Sequence, residues 1–266
     1  MVLLYIPPVQ NLLRREVTAY ASKATGMQIQ VERIDLRFPL NLLVRGVEVI
    51  QQPDTLLSLE SLNVRVQAWP LLKGKVEVDD VTLSQVAVNS ADLIEGMQIK
   101  GVLGRFFLQS HGVDLSNETA VVNRAELSDT HIQLLMNDTT TAPKDTTASA
   151  PVNWKVDLHQ LKLKNISFDM QLPADSLKMS AYIGEATVDD AKADLKNQFY
   201  GLRQFLLSGA SASYDTGEAG PTEGFDASHM AVRNIRIGLD SLLYEGRNMN
   251  AVIREITMEE RSGLSI

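Results

Sequence analysis

The stretch "VEVDDVTLSQVAV" (residues 76–88) alternates apolar and polar side chains like a β-strand, but it breaks its own phase twice. Asp79–Asp80 and Ser84–Gln85 each place two polar residues in a row before the alternation resumes. Because successive side chains of a strand point to opposite faces, each double step would move the later apolar residues to the other face. A β-bulge or a tight turn at each step absorbs the extra residue, so the pattern predicts a bent strand with one apolar face.

The same pattern returns along the chain. The stretch "VDLHQLKLKNISF" (156–168) matches the first one without a gap, with polar steps at His159–Gln160 and Lys164–Asn165, and shorter copies surround Asp189–Asp190 and Arg233–Asn234. This self-similarity predicts a mainly β fold: an elongated, bent, mostly antiparallel sheet with a concave apolar face. The residues predicted to line an apolar groove on that face are Val76, Val78, Val81, Leu83, Val156, Leu158, Leu161, Leu163, Ile166 and Phe168.

Two segments have helical spacing of their apolar residues. The run from Val9 to Ala24 predicts an amphipathic helix that ends at Gly26, and the segment 191–207 is a candidate for one further helix. Four residues of the first helix are candidate membrane-proximal residues, with the arginines directed towards lipid headgroups: Leu12, Leu13, Arg14 and Arg15. Capping of the sheet is the favoured role of this helix, and the two roles can coexist.

The domain organisation follows from these patterns. Residues 1–26 are predicted to be the end of a membrane anchor followed by the amphipathic helix, and residues 27–266 a repetitive β-domain. The segment 137–153 is rich in Thr, Ala, Pro and Ser, and the segment 209–228 is rich in Gly and acidic residues, so both are predicted to be mobile loops. A domain boundary near residue 150 is the competing interpretation.

Composition excludes several classes of function. The 266 residues carry 25 basic and 33 acidic side chains, a net charge of -8, which argues against binding to nucleic acid. The absence of cysteine excludes thiol catalysis and thiolate metal sites. The histidines, His111, His131, His159 and His229, have no metal-ligand spacing, and no catalytic motif is present. We therefore predict a protein that is not an enzyme and needs no cofactor.

Three stretches resemble one protein family: residues 6–50, residues 56–83 with their "WPLLKGKVEV" step, and residues 225–266 with their "ERSGL" turn. They are similar to the bacterial TamB and AsmA-like envelope proteins, the last stretch to the Bacteroidetes type. The resemblance implies an inner-membrane anchor and a long periplasmic β-structure curled into an apolar groove. It also implies a role in outer-membrane biogenesis, through phospholipid movement or the assembly of outer-membrane proteins, with phospholipid, the inner membrane and an outer-membrane assembly protein as candidate partners.

Two further expectations follow from the resemblance. The apolar start "MVLLYIPP" is too short to span a bilayer, so we expect a transmembrane helix upstream of it. Relatives continue far beyond "ERSGLSI", so we expect an N-terminal piece that self-associates through its C-terminal strand edge, around Val252–Ile256.

The rival interpretation is a secreted β-solenoid that binds or cleaves polysaccharide. Such a site would need an aromatic platform with clustered carboxylates. Aromatic residues make up only 6% of the chain, and its two tryptophans, Trp69 and Trp154, are far apart in the sequence.

Overall fold

The computed structural model describes residues 15, 18–19, 22–23, 25–67, 78–91, 93–114, 117–137, 153–216 and 220–266. These residues form eleven strands: β1 (Gln28–Arg37), β2 (Asn41–Gln51), β3 (Asp54–Val66), β4 (Val78–Asn89), β5 (Met97–Asp114), β6 (Thr119–Met136), β7 (Lys155–Leu172), β8 (Leu177–Asp194), β9 (Phe199–Asp215), β10 (His229–Glu245) and β11 (Asn248–Glu260). A short 3-10 helix, Pro173–Asp175, connects β7 to β8.

The strands form one sheet whose spatial order is the order of the sequence, from β1 to β11. Neighbouring strands are antiparallel except β6 and β7, which are parallel and whose connection passes through residues 138–152, outside the described part of the chain. Apart from isolated contacts, each described strand meets only its neighbours in the sheet, so the sheet is open and β1 and β11 are its edges. The prediction of a mainly β, mostly antiparallel sheet is confirmed.

Most strands contain a polar step, that is, two consecutive non-apolar residues that interrupt the alternation. The polar steps of successive strands lie side by side and form a line across the sheet, and we call this line the first seam. From β1 to β8 the register of each strand pair skips one residue on both strands at this line, and between β8 and β9 it skips two. In every one of these pairs the register resumes with no net shift. The first seam consists of Glu32, Gly46, Glu60, Gln85, Gly104, Asp129, Asn165, Gly184 and Gly209, and Asn234 of β10 continues it.

Backbone conformation explains how the first seam preserves the faces of the sheet. Gln85, Asp129, Asn165 and Asn234 have left-handed φ values of 49, 54, 54 and 55°, and Gly209 has a φ of 61°. A left-handed residue interrupts the extended conformation, so one extra residue is absorbed and the strand bends without exchanging its faces. The double polar steps that appeared to break the alternation are therefore what keeps one face apolar.

A second line of polar steps crosses β4 and β6 to β11, and we call it the second seam. It contains Asp79, Asn123, His159, Asp190, Arg203, Asp240 and Arg254, where the strand registers skip a position or shift by one residue. Of these residues only Asp190, with a φ of 48°, has a left-handed backbone. The two seams divide the long strands into three parts.

Two predictions about individual segments were wrong. Residues 191–207, the candidate for a further helix, are instead the end of β8, a turn and the start of β9. The turn is stabilised by Asp194, which accepts hydrogen bonds from the backbone N–H of Asn197 at 3.1 Å and from its side-chain amide at 2.8 Å. Residues 209–215 were expected in a loop but belong to β9, where the hydroxyl oxygens of Ser213 and Ser180 are 2.7 Å apart. The predicted loop at 137–153 lies mostly outside the described residues.

The described residues between Arg15 and Thr25 are helical, and the chain turns at Gly26, whose φ is 71° and whose N–H donates to the Ser22 carbonyl at 2.9 Å. Gly26 therefore ends the helix as its sequence position predicts. Arg15 is exposed, whereas Leu12, Leu13 and Arg14 lie outside the described residues. Within the described part of the chain, no helix has the length and hydropathy needed to cross a membrane.

Candidate functional site: an uncovered apolar face

The strand registers align apolar side chains into two rows that cross all eleven strands between the seams. One row, from β1 to β11, consists of Ile34, Val44, Leu62, Leu83, Phe106, Leu127, Leu163, Ala186, Leu207, Ile237 and Ile256. The other consists of Leu36, Leu42, Val64, Val81, Leu108, Ala125, Leu161, Val188, Phe205, Leu239 and Ile253. We call these two rows the central strip. Directly paired residues share a face, so the central strip is continuous.

The register also locates the residues predicted to line a groove. Val81, Leu83, Leu161 and Leu163 belong to the central strip. The same face continues beyond the second seam with Val78, Val156 and Leu158, and beyond the first seam with Ile166 and Phe168. Val76 lies outside the described residues.

Exposure on this face increases from the centre of the strands towards their ends. Ala186 of the central strip is 3% exposed, and Val122, Ala125 and Ala210, in or beside the strip, are also buried. Towards the strand ends, Val88 is 40% and Ile132 is 39% exposed. This gradient is expected of a sheet that bends towards its apolar side, because bending crowds the side chains at the centre of the bend.

No second layer of described strands covers the apolar face, since each strand meets only its neighbours. Most large apolar side chains of the sheet are only half-buried by their neighbours, and among the described residues none has less than 2% of its surface exposed. Within the described part of the chain, the apolar side of the sheet is therefore not covered by another strand.

Beyond the second seam, the apolar face forms a shallow cavity of about 220 Å³. The predicted residues Val156 and Leu158 line it together with Tyr200, Leu202 and Leu242. The ring of Tyr200 lies 5.8 Å from that of Tyr244, between centroids, at one end of this region. The apolar face is therefore indented in this part of the sheet.

The charged residues of the second seam are engaged with one another rather than arranged as a reactive site. Asp190 lies 3.1 Å from His159 Nδ1 and accepts a hydrogen bond from Arg203 Nε at 2.7 Å, and Arg254 donates to Asp240. The bond from Arg203, and secondly that from His159, lowers the pKa of the Asp190 carboxyl. These contacts give the acidic step Asp189–Asp190 a structural role within the sheet.

The other acidic step is held in a similar way. Asp79 accepts a hydrogen bond from Gln67 Nε2 at 2.6 Å, and Asp80 lies 3.3 Å from Arg65 Nη1. In the part of the chain that the structure describes, no three histidine or acidic side chains come together as a metal site.

Sequence reasoning missed about half of the apolar face. Phe106 of β5 and Phe205 of β9 have the same spacing as the recognised copies, but small residues obscured the signal in several strands. The polar steps of β2, β5 and β9 contain a glycine, as in Arg45–Gly46, Gly104–Arg105 and Ser208–Gly209. A search for any two non-apolar residues between apolar pairs would have found these strands.

Comparison with protein families and with curated proteins gave no match for this chain, either to a family model or to a curated sequence.

Proposed function

We propose that this chain is a non-enzymatic component of outer-membrane biogenesis that shields phospholipid acyl chains on its apolar face. The observation that carries the proposal is the central strip, two unbroken apolar rows across eleven strands with no covering layer among the described residues. A soluble protein rarely exposes a contiguous apolar surface of this extent unless the surface binds something.

The dimensions of the strip suit a linear hydrocarbon. Eleven strands at a spacing of about 4.8 Å place the first and last strand axes roughly 48 Å apart. The hydrocarbon of one bilayer leaflet is about 15 Å thick, half of the ~30 Å core. An acyl chain that lies across the strands is therefore shorter than the strip, and it could move along the strip while it remains covered.

The chemistry of the face also favours acyl chains. Burial of each CH₂ group contributes about 0.8 kcal/mol, and no directional polar contact is required. The two buried hydroxyl residues on this face, Ser110 and Thr130, donate to the backbone carbonyls of Val78 and Ser128. They therefore do not present an unsatisfied hydrogen-bonding group to a ligand, and a polar headgroup would remain in solvent.

The cellular setting of the proposal rests on the resemblance to TamB and AsmA-like proteins. In this proposal the chain lies in the periplasm and is anchored in the inner membrane by a helix upstream of the amphipathic segment. An outer-membrane protein in transit is the alternative client. We favour acyl chains because the central strip is uniformly apolar, whereas a transmembrane strand alternates apolar and polar side chains.

Native mass spectrometry of the chain purified from bacterial envelopes tests the proposal. We expect phospholipid adducts on the unmodified protein, and their loss from Phe106→Gln, which alters the central strip. Phe107→Gln is the matched control, because Phe107 is the next residue, pairs with Thr82 and Glu126, and lies on the opposite face. A protein without lipid, a bound polypeptide instead, or equal lipid loss from both variants would contradict the proposal.

A further inference from the structure

The two edge strands of the sheet differ in their protection against other strands. β1 carries four charged residues in ten positions, Glu32, Arg33, Asp35 and Arg37. The first six residues of β11, Asn248–Ile253, include no charged residue, proline or glycine. Edge strands normally carry charges or proline because an unprotected edge pairs with another strand. The first half of β11 lacks this protection.

The side chains of this segment are more exposed than those of the interior strands. Met249 is 68% and Ile253 is 56% exposed, because they have a neighbouring strand on one side only. Interior residues of the same rows, such as Leu239, are half-buried between two neighbours. A further strand alongside β11 would bury Met249 and Ile253 to the same degree.

The outer edge of β11 already accepts a strand at its far end. The backbones of Met258 and Ile266 exchange two hydrogen bonds of 3.1 Å, and the Glu260 N–H donates to the Leu264 carbonyl at 2.8 Å. The edge therefore has the geometry needed for antiparallel pairing. The chain's own tail occupies it only beside Met258–Glu260, and Asn248–Thr257 have no strand on that side among the described residues.

We propose that β11 pairs with β11 of a second copy of this chain, antiparallel and about a two-fold axis at Ala251. In this register Ala251 faces its own copy, Met249 faces Ile253 of the second copy, and Asn250 faces Val252 of the second copy. In this register the apolar faces of the two copies lie on the same side of the joined sheet. The apolar face of β10 pairs with Met249, Ala251 and Ile253, and its other face pairs with Asn250 and Val252.

The charges are compatible with the same register. Arg254 is the only charged residue between Asn248 and Arg254, and it lies opposite the uncharged Asn248 of the second copy. No like charges meet, which would destabilise a strand pair. The dimer joins two apolar faces into one continuous surface, and it does not depend on what that surface binds.

Single cysteine variants of the full 266-residue chain test the register, because the chain has no cysteine of its own. Residues directly opposite in an antiparallel pair have Cα atoms about 4.5–5.5 Å apart, which a disulfide can bridge. We expect Ala251→Cys to form a disulfide-linked dimer under mild oxidation. Met249→Cys should not, because its two copies would lie roughly 13 Å apart along the strands.

Two further measurements test whether the edge of β11, and not another surface, forms the dimer interface. Light scattering should show a concentration-dependent dimer, and Ala251→Lys, which places two ammonium groups side by side at the axis, should weaken it roughly tenfold or more with unchanged circular dichroism. Gln30→Cys on β1 is the control for the other edge. A monomer at all concentrations, crosslinking of Met249→Cys as efficient as that of Ala251→Cys, or crosslinking of Gln30→Cys would overturn the proposal.

Discussion

The two seams bend the same strands by different physical means. The first seam is made by the backbone: left-handed residues and glycines stand side by side, and at Gly104 an added Cβ would lie 2.7 Å from the Asp129 Cβ. The second seam contains one left-handed residue, Asp190, and is bordered by exposed side-chain contacts such as that between Arg203 and Asp190.

This difference has an energetic consequence. Steric conflicts with backbone atoms cannot relax cheaply, whereas exposed ion pairs contribute little because water and salt screen them. Substitutions in the first seam should therefore affect stability more than substitutions in the second. The seams share one function in the fold, which is to keep the apolar side chains of the central strip on one face.

The largest effect is expected at Gly184, because the atoms nearest to an added Cβ there all belong to the backbone of the neighbouring strand. A Cβ at Gly184 would lie 2.9 Å from the Gly209 carbonyl oxygen and 3.1 Å from that of Ser208. We expect Gly184→Ala to cost about 2–3 kcal/mol, measured by urea unfolding. The control is Gly238→Ala, since a Cβ there meets nothing nearer than 3.7 Å, and its effect should stay within about 1 kcal/mol. Equal effects would refute a steric origin of the seam.

A smaller effect is expected at Gln85, which is exposed and has a φ of 49°. A β-branched residue is strained in the left-handed region, so Gln85→Val should cost about 1–2 kcal/mol, whereas Gln85→Gly should change stability by less than about 0.5 kcal/mol. Ser84→Val, one position earlier, controls for the change in side chain. If Gln85→Val is as stable as the unmodified protein in thermal unfolding, the left-handed backbone is not what sets the seam.

The smallest effect is expected in the second seam, and it depends on pH. The hydrogen bond from Arg203 lowers the pKa of Asp190 in the folded state. Its stabilising contribution is therefore present above the unfolded pKa of about 3.9 and is lost as the pH falls below that value. We expect the urea midpoint to fall less between pH 5 and pH 3 in Asp190→Asn than in the unmodified protein. The control is Asp175→Asn, in the turn after β7, which removes a carboxylate without removing this hydrogen bond.

The sequence predicted those features that depend on local periodicity. Double polar steps such as Lys164–Asn165 identified bent strands with one apolar face, because two polar residues between apolar pairs leave few other solutions. Long-range features could not be predicted in this way. The parallel pairing of β6 with β7 depends on a connection whose sequence carries no pairing signal. Whether an apolar face is covered depends on the rest of the chain, and periodicity alone does not report it.

The errors had local causes. The apolar spacing of residues 191–207 fits a helix as well as two short strand ends, and the turn that Asp194 and Asn197 stabilise was not recognised. The small residues of "GASASYD" (209–215) have low intrinsic strand propensity, yet Ala210 is buried in β9, between β8 and β10. In this segment the pairing with two neighbouring strands outweighs the local preference.

The central claim is that the central strip is an open binding face and not a closed core. Leu163 lies at the middle of the central strip, paired with Leu127 and Ala186. Leu163→Asp should be compared with Lys162→Asp, which places the same carboxylate on the opposite face, by circular dichroism melting together with extraction of bound lipid. An open face keeps the new carboxylate hydrated, so we predict that Leu163→Asp remains folded but loses its lipid, while Lys162→Asp retains both fold and lipid. In a closed core an unpaired buried carboxylate costs several kcal/mol, so unfolding of Leu163→Asp alone would contradict the account.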